Sequence, residues 1–212
     1  MHSFFKPGQV VLFQGDSVTD CSRADKNFAP LGNGYAQKIS VIYQTLFAKQ
    51  NVQFVNRGVS GNRACDLLAR YEKDFKAVQP DFISILIGIN DTWRRYDSND
   101  ETPQSVFLQQ YETLLQKIKT DLPRAEIMLI EPFVLPSCAD HLHWREDLGP
   151  KIEVVRALAR EYADYFLPMD GILAQAQTAC YTAQQLSLDG VHPTDCGHGV
   201  IAHAWLRALE IL

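Results

Sequence analysis

The chain has 212 residues, 46% of them apolar, and 25 acidic against 20 basic side chains, a net charge of −5. That composition suits one packed globule and argues against a disordered chain. No basic block exceeds the doublet Arg94-Arg95 and no apolar stretch reaches 18 residues, so neither nucleic-acid binding nor a membrane span is expected.

In chain order, Gln9 to Phe13 reads as a first strand, apolar through Val10-Val11-Leu12-Phe13, and it runs straight into Gly15-Asp16-Ser17. Asn27 to Gly34 is punctuated as a loop. Tyr35 to Lys49 carries a helical stripe through Ile39, Ile42 and Leu46, and Val52 to Asn56 is a short strand. The loop Arg57-Gly58-Val59-Ser60-Gly61-Asn62 follows. Cys65 to Val78 reads as one helix stopped by Pro80, and Phe82 to Ile87 barely alternates, the mark of a strand buried on both faces. Gly88 to Pro103 is expected as a polar loop, Val106 to Asp121 as a helix and Ile127 to Ile130 as a strand. Pro132 to Gly149 is expected as a long loop and Lys151 to Tyr162 as a helix. An edge strand at Tyr165 to Pro168, a weak helix over Ile172 to Ala183 and a closing helix from Cys196 to Leu212 complete the pattern.

Strands alternating with helices imply a mostly parallel sheet covered on both faces. No repeat or linker divides the chain, so residues 1–212 are read as a single domain. In such folds sites form where loops leave the carboxyl ends of strands. Gly15-Asp16-Ser17, Arg57-Gly58 and Gly88-Ile89-Asn90-Asp91 all hold that position.

Gly-Asp-Ser alone is satisfied by a turn or a helix cap. As a nucleophile, Ser17 would need a base, because a serine hydroxyl attacks poorly until its proton is taken. Of six histidines, His192 lies in a non-helical segment three residues after Asp189. That spacing lets the carboxylate reach one ring nitrogen and leaves the other for Ser17. His198 and His203 face a helix and read as packing or surface residues. Donors for a developing oxyanion are available from the Ser17 N–H, the Gly58 N–H and the Asn90 amide. The Gly58–Gly61 loop lacks the patterns of a phosphate cradle, so phosphoryl transfer has no support.

These residues resemble the blocks of the SGNH, or GDSL, hydrolase family. Gly15-Asp16-Ser17-Val18-Thr19-Asp20 is similar to its first block, Gly58 to the glycine of the second, Gly88-Ile89-Asn90-Asp91 to G-x-N-D, and Asp189-Gly190-Val191-His192 to D-x-x-H. The resemblance implies a flavodoxin-like three-layer α/β/α sandwich with five parallel strands. It implies Ser17, Asp189 and His192 as catalytic triad, with Ser17, Gly58 and Asn90 around the oxyanion. The G-x-S-x-G elbow of α/β-hydrolases is absent. The finer pattern G-D-S-x-T-D, R-G-x-S-G-N and G-I-N-D-x-W-R is similar to that of bacterial acetylxylan esterases and related carbohydrate acetylesterases. That implies hydrolysis of acetyl esters of sugars, such as acetylated xylo-oligosaccharides, through an acetyl-enzyme and without a cofactor.

Trp93, Arg94 and Trp144 are the expected substrate contacts. No apolar insertion suited to long acyl chains is evident. A general short-chain esterase or lysophospholipase of the same fold is the alternative, and a non-catalytic binding protein the remote one. His141 and His143 beside Asp140 have a ligand-like spacing but no third partner, so no metal site is expected. The cysteines Cys21, Cys65, Cys138, Cys180 and Cys196 are scattered and odd in number, which points to a reducing, cytoplasmic setting. The expected partner is the small ester itself, with no nucleic acid or membrane, and a homo-oligomer is left open.

Overall fold

The computed structural model describes residues 3–23, 30–137 and 141–212. Five strands, β1 (Val10–Gly15), β2 (Gln53–Asn56), β3 (Phe82–Leu86), β4 (Glu126–Ile130) and β5 (Tyr165–Leu167), form one sheet in the order β2-β1-β3-β4-β5. Every adjacent pair is parallel. Parallel neighbours need crossovers, and helices supply them on both faces. Side-chain alternation then divides the core. Val11, Phe13, Phe82, Leu86, Met128 and Ile130 point to one face, where they pack against α2 (Tyr35–Phe47), α8 (Met169–Ala179), α9 (Ala183–Leu186) and α10 (Asp195–Ala208). Leu12, Ile83, Ile85, Ile127 and Leu129 point to the other, against α3 (Ala64–Ala69), α4 (Tyr71–Asp74), α6 (Gln104–Asp121) and α7 (His141–Tyr162). The result is the three-layer α/β/α sandwich expected from the sequence. Ser84, a buried polar residue of β3, accepts from Trp205 Nε1 at 3.1 Å.

Three local expectations are corrected. The segment after β3 is a helix, α5 (Ile89–Asp97), where a polar loop was expected. Its apolar contacts are confined to Ile89, Trp93 and Tyr96, which join a small satellite cluster with Trp144, Leu148 and Ile152. The long loop expected up to Gly149 is shorter, because α7 already begins at His141 and passes through Pro150. Proline forfeits one backbone hydrogen bond within a helix, so Gly149-Pro150 imitates a boundary that packing overrides. The helix expected over Cys65 to Val78 is broken at Arg70, between α3 and α4, and ends in a 3₁₀ turn at Lys76–Val78. Cys138, Asp140 and the start of the loop expected from Asn27 lie outside the described residues.

The sheet order places β1 between β2 and β3. The direction of strand succession reverses between β1 and β3, which is where open α/β sheets form their ligand crevice. The loops after β1, β2 and β3 therefore share one rim, and they carry Ser17, the Gly58–Gly61 segment and Asn90.

Candidate active site

β1 ends at Gly15, and Ser17 opens the one-turn helix α1 (Ser17–Asp20). Asp16 caps it, accepting from the Val18 N–H at 3.0 Å. Asp16 is 1% exposed. Burial, with the nearby Asp91 carboxylate adding to it, pushes its pKa up to about 7 against the pull of the Val18 N–H and His192. The Asp16 side chain is thus a structural carboxyl turned into the protein, as its cap role requires.

Ser17 Oγ lies 2.9 Å from His192 Nε2. His192 Nδ1 lies 2.6 Å from Asp189 Oδ2. Asp189 Oδ1 accepts the backbone N–H groups of Val191 and His192 at 2.9 and 2.7 Å. This tight turn passes through Gly190 at φ +84, where a Cβ would come within 2.4 Å of Leu135 O. Burial opposes the Asp189 charge, but the hydrogen bonds from the His192 ring and from the His192 and Val191 backbone outweigh it and hold the carboxyl down at about 2. Asp189 is therefore anionic at neutral pH and fixes the proton on Nδ1. Nε2 is left as an acceptor facing the serine hydroxyl. The structure brings the three residues together in the order the sequence suggested.

The other helical-face histidine at hand is engaged elsewhere. His198 Nδ1 accepts the Tyr35 N–H at 3.2 Å, and Nε2 lies 3.2 Å from Cys21 Sγ. Burial first, then the Lys38 charge, lowers its pKa to about 4. It packs against Tyr35, as expected for a core residue.

One of the expected oxyanion donors requires a correction. The Gly58 N–H already donates to Asn56 Oδ1 at 2.8 Å, and Gly58 is buried. Its lack of a side chain serves close packing, since a Cβ there would stand 2.4 Å from the Asp20 backbone nitrogen. Gly61, three residues on, is exposed at φ +84 with open space where a Cβ would stand. Among the described residues its N–H donates to no protein atom, and neither does that of Ser17. The signal was present in the sequence as the second glycine of Gly58-Val59-Ser60-Gly61. Which of the two glycines keeps a free N–H is decided by the long-range contacts of the loop.

Asn90, 2% exposed, sits in the first turn of α5. Its amide nitrogen donates to Asn62 O at 3.0 Å, which leaves its second hydrogen uncommitted by that bond. The neighbouring Asp91 is fully buried, and burial pushes its pKa to about 7 although it accepts from the Ala64 N–H.

The expected substrate contacts divide. The Trp93 ring centroid lies 5.7 Å from that of His192, which places it at the edge of the triad. Arg94 pairs with Asp97, reaches Asn90 Oδ1 at 3.4 Å, and holds its guanidinium carbon 5.5 Å from the Trp93 ring centroid, within cation–π range. Trp144 is corrected. It belongs to α7 and is only 6% exposed, packed against Trp93, Tyr96 and His141. It packs against the Trp93 ring and borders an open depression with Tyr96, Asp97, His141 and His143. A second depression, beside the serine, is lined by Ser17, Cys21, Ser22, Ser60, His192 and Pro193 among others. Among the described residues no three His, Cys, Asp or Glu side chains gather as metal ligands.

A serine just beyond the end of the first strand of a parallel three-layer sandwich, hydrogen-bonded to a histidine that an aspartate orients, defines a serine ester hydrolase of the SGNH type. The chain belongs to the GDSL-like lipase/acylhydrolase family, whose model matches residues 13–200. It is 35% identical over 208 residues to an acetylxylan esterase from Geobacillus stearothermophilus, covering 95% of this chain and 94% of that protein. A crystal structure of a catalytic mutant of an acetylxylan esterase from that organism superposes with a TM-score of 0.88 at 31% identity, covering 98% of this chain and 97% of the other. An α/β hydrolase from the metagenome of Lake Arreo gives 0.89 at 26% identity, covering 100% and 99%.

Proposed function

We propose that this chain is a serine esterase that removes acetyl groups from carbohydrates, with acetylated xylo-oligosaccharides as the favoured substrates. The observation that carries the catalytic part is the unbroken hydrogen-bond chain from Asp189 through His192 to Ser17. The carbohydrate part draws support from the similarity to the acetylxylan esterase, for which acetyl-xylooligosaccharides are also named as substrate. The half-buried Trp93 beside His192 supports it too, since an indole face suits a sugar ring.

In this reading His192 Nε2 takes the Ser17 proton as Oγ attacks the acetyl carbonyl. The Ser17 N–H, the Gly61 N–H and the Asn90 amide receive the negative charge on the carbonyl oxygen. His192 then protonates the departing sugar oxygen, and water activated by the same histidine releases acetate from Ser17. Asp189 stays anionic throughout and stabilises the imidazolium. A cytoplasmic location belongs to the same proposal and rests on the free thiols of Cys21, Cys65, Cys180 and Cys196.

The test compares acetylated xylo-oligosaccharides, a small activated acetyl ester, an octanoyl ester and a lysophospholipid, with Ser17→Ala as the blank. The sugar ester has a poor leaving alkoxide and depends on its ring being held, so Trp93→Ala should reduce kcat/KM more on it than on the activated ester. Equal losses in a folded variant remove the sugar-specific role of Trp93. An octanoyl ester or lysophospholipid preferred over every acetyl ester replaces the acetylesterase reading with the lipase-like one.

A further inference from the structure

Arg70 falls at the break between α3 and α4, and its guanidinium enters the protein beneath the site. Nε donates to Asn62 Oδ1 at 2.8 Å. Nη1 reaches Gln14 Oε1 at 2.9 Å, Arg57 O at 2.8 Å and Asp74 Oδ2 at 3.1 Å. Nη2 reaches Gly15 O at 3.2 Å. The acceptors come from two separate pieces of chain besides its own helix. Gln14 and Gly15 end the strand that delivers Ser17. Arg57 and Asn62 bracket the loop that carries Gly61.

The second loop is in turn tied to the third. The backbone oxygen of Asn62 accepts the Asn90 amide at 3.0 Å, so the residue that Arg70 grips by its side chain also holds the other oxyanion donor. Two backbone bonds, Arg57 N–H to Phe13 O at 2.9 Å and Val59 N–H to Gly15 O at 3.1 Å, tie the serine strand to the first half of this loop. Apart from Arg70, the segment from Ser60 to Asn62 is held by the Asn90 amide on Asn62 O, by the local Asn62 N–H to Val59 O bond at 3.1 Å, and by the exposed bonds of Ser60 to Asp20. A planar fork is suited to clamping acceptors in several directions, which a single ammonium cannot reproduce.

We propose that Arg70 is a positioning residue that registers the Gly61–Asn62 loop, and through it Asn90, against the strand end bearing Ser17. The proposal rests on the catalytic reading of Ser17, Gly61 and Asn90 given above. Arg70 is two hydrogen bonds from the Asn90 amide, by way of Asn62, and does not line the depression beside Ser17. Its effect falls on interactions made in the transition state, where a displacement of about 1 Å costs up to ~10²-fold in rate.

The experiment measures kcat and KM on a small activated acetyl ester for Arg70→Lys, Asn62→Ala and the double variant, together with melting temperatures. The affinity of a short alkylboronic acid, which forms a tetrahedral adduct on a catalytic serine, is measured for each. Arg70→Lys is expected to lower kcat at least ~10-fold while KM stays within about threefold. The boronate should weaken by a factor similar to the loss in kcat/KM. Asn62→Ala should reproduce a large share of that loss, and the double variant should fall little below the worse single one, because both cut the same link. A folded Arg70→Lys with wild-type kcat, a loss confined to KM, or fully additive losses overturns the proposal. Should Arg70→Lys not fold, wild-type kcat in Asn62→Ala overturns it equally. Full turnover in Ser17→Ala would instead overturn the catalytic reading on which it rests.

Discussion

Two aspartates flank the hydrogen-bonded pair of Ser17 and His192, and their surroundings drive them in opposite directions. Asp189 is held at about 2 by hydrogen bonds, whereas burial raises Asp16 to about 7. Such divergence assigns roles, the low one being the anionic orienter of His192. It also makes a stability prediction through Asp16→Asn. Unfolded, Asp16 loses its proton near 3.8; folded, it keeps it until about 7. Between these values the native state binds more protons than the unfolded chain, so this group's contribution falls as pH rises and is constant above about 7. At about 1.4 kcal/mol per pH unit, the gap corresponds to an upper figure of ~4 kcal/mol. Asparagine retains the oxygen that caps Val18 but cannot ionise. Its buried NH₂ imposes a cost of about 1–3 kcal/mol that does not vary with pH. Urea unfolding of both proteins at half-unit steps from pH 4 to 8 gives the difference curve. His198, neutral and buried, contributes in the opposite sense over the same range, its stabilising share rising with pH between its folded value of about 4 and the ordinary 6.5. It is common to both proteins and cancels. The variant should gain on wild type by a few kcal/mol between pH 4 and 7 and run parallel above. Parallel curves throughout would refute the burial argument. At neutral pH the variant should keep kcat within about tenfold, while Asp189→Asn, which lets His192 adopt the wrong tautomer, should lose about 10⁴-fold.

Asn90→Ala should lower kcat by about 10²–10³ with little change in melting temperature, because the amide is tied only to Asn62 and Arg94; wild-type kcat in the folded variant would remove Asn90 from the oxyanion hole. Gly58→Ala should be destabilised by more than about 2 kcal/mol, since its Cβ meets the Thr19–Asp20 backbone rather than a yielding side chain. Gly61→Ala, with open space, should cost only about 1–2 kcal/mol for its positive φ. Chemical denaturation of the two variants checks the contrast, and a Gly58→Ala protein as stable as Gly61→Ala would contradict the close approach.

The linear chain by itself determined the layers and most of the chemistry. Apolar runs of four to six residues separated by amphipathic helices dictate a parallel sheet covered on both sides. Parallel strands in turn force the loops after β1, β2 and β3 onto one rim. The Asp189–His192 contact was legible because it is local: a three-residue turn through Gly190 makes it whatever the rest of the chain does. Ser17 was legible because a hydroxyl at a strand end needs a base, and His192 was the histidine with a carboxylate three residues before it in a segment without a helical pattern.

What remained hidden depends on which distant atom reaches a group first. Gly58 and Gly61 look alike in the sequence. Asn56, itself held by Thr19 O and Leu31 O at 2.6 and 2.9 Å, claims the N–H of one and leaves the other free. α5 carries few apolar residues, and it is fixed by a satellite cluster drawn largely from α7, some fifty residues away. Trp144 gave no hint of its burial because the rings that cover it come from Trp93 and Tyr96 on that same α5. Arg70 belongs to no sequence motif, and only the tertiary structure closes the loop and the strand end around its guanidinium. Periodicity and spacing report local geometry, whereas the partner of a buried polar group is chosen by the packing of segments far apart in the chain.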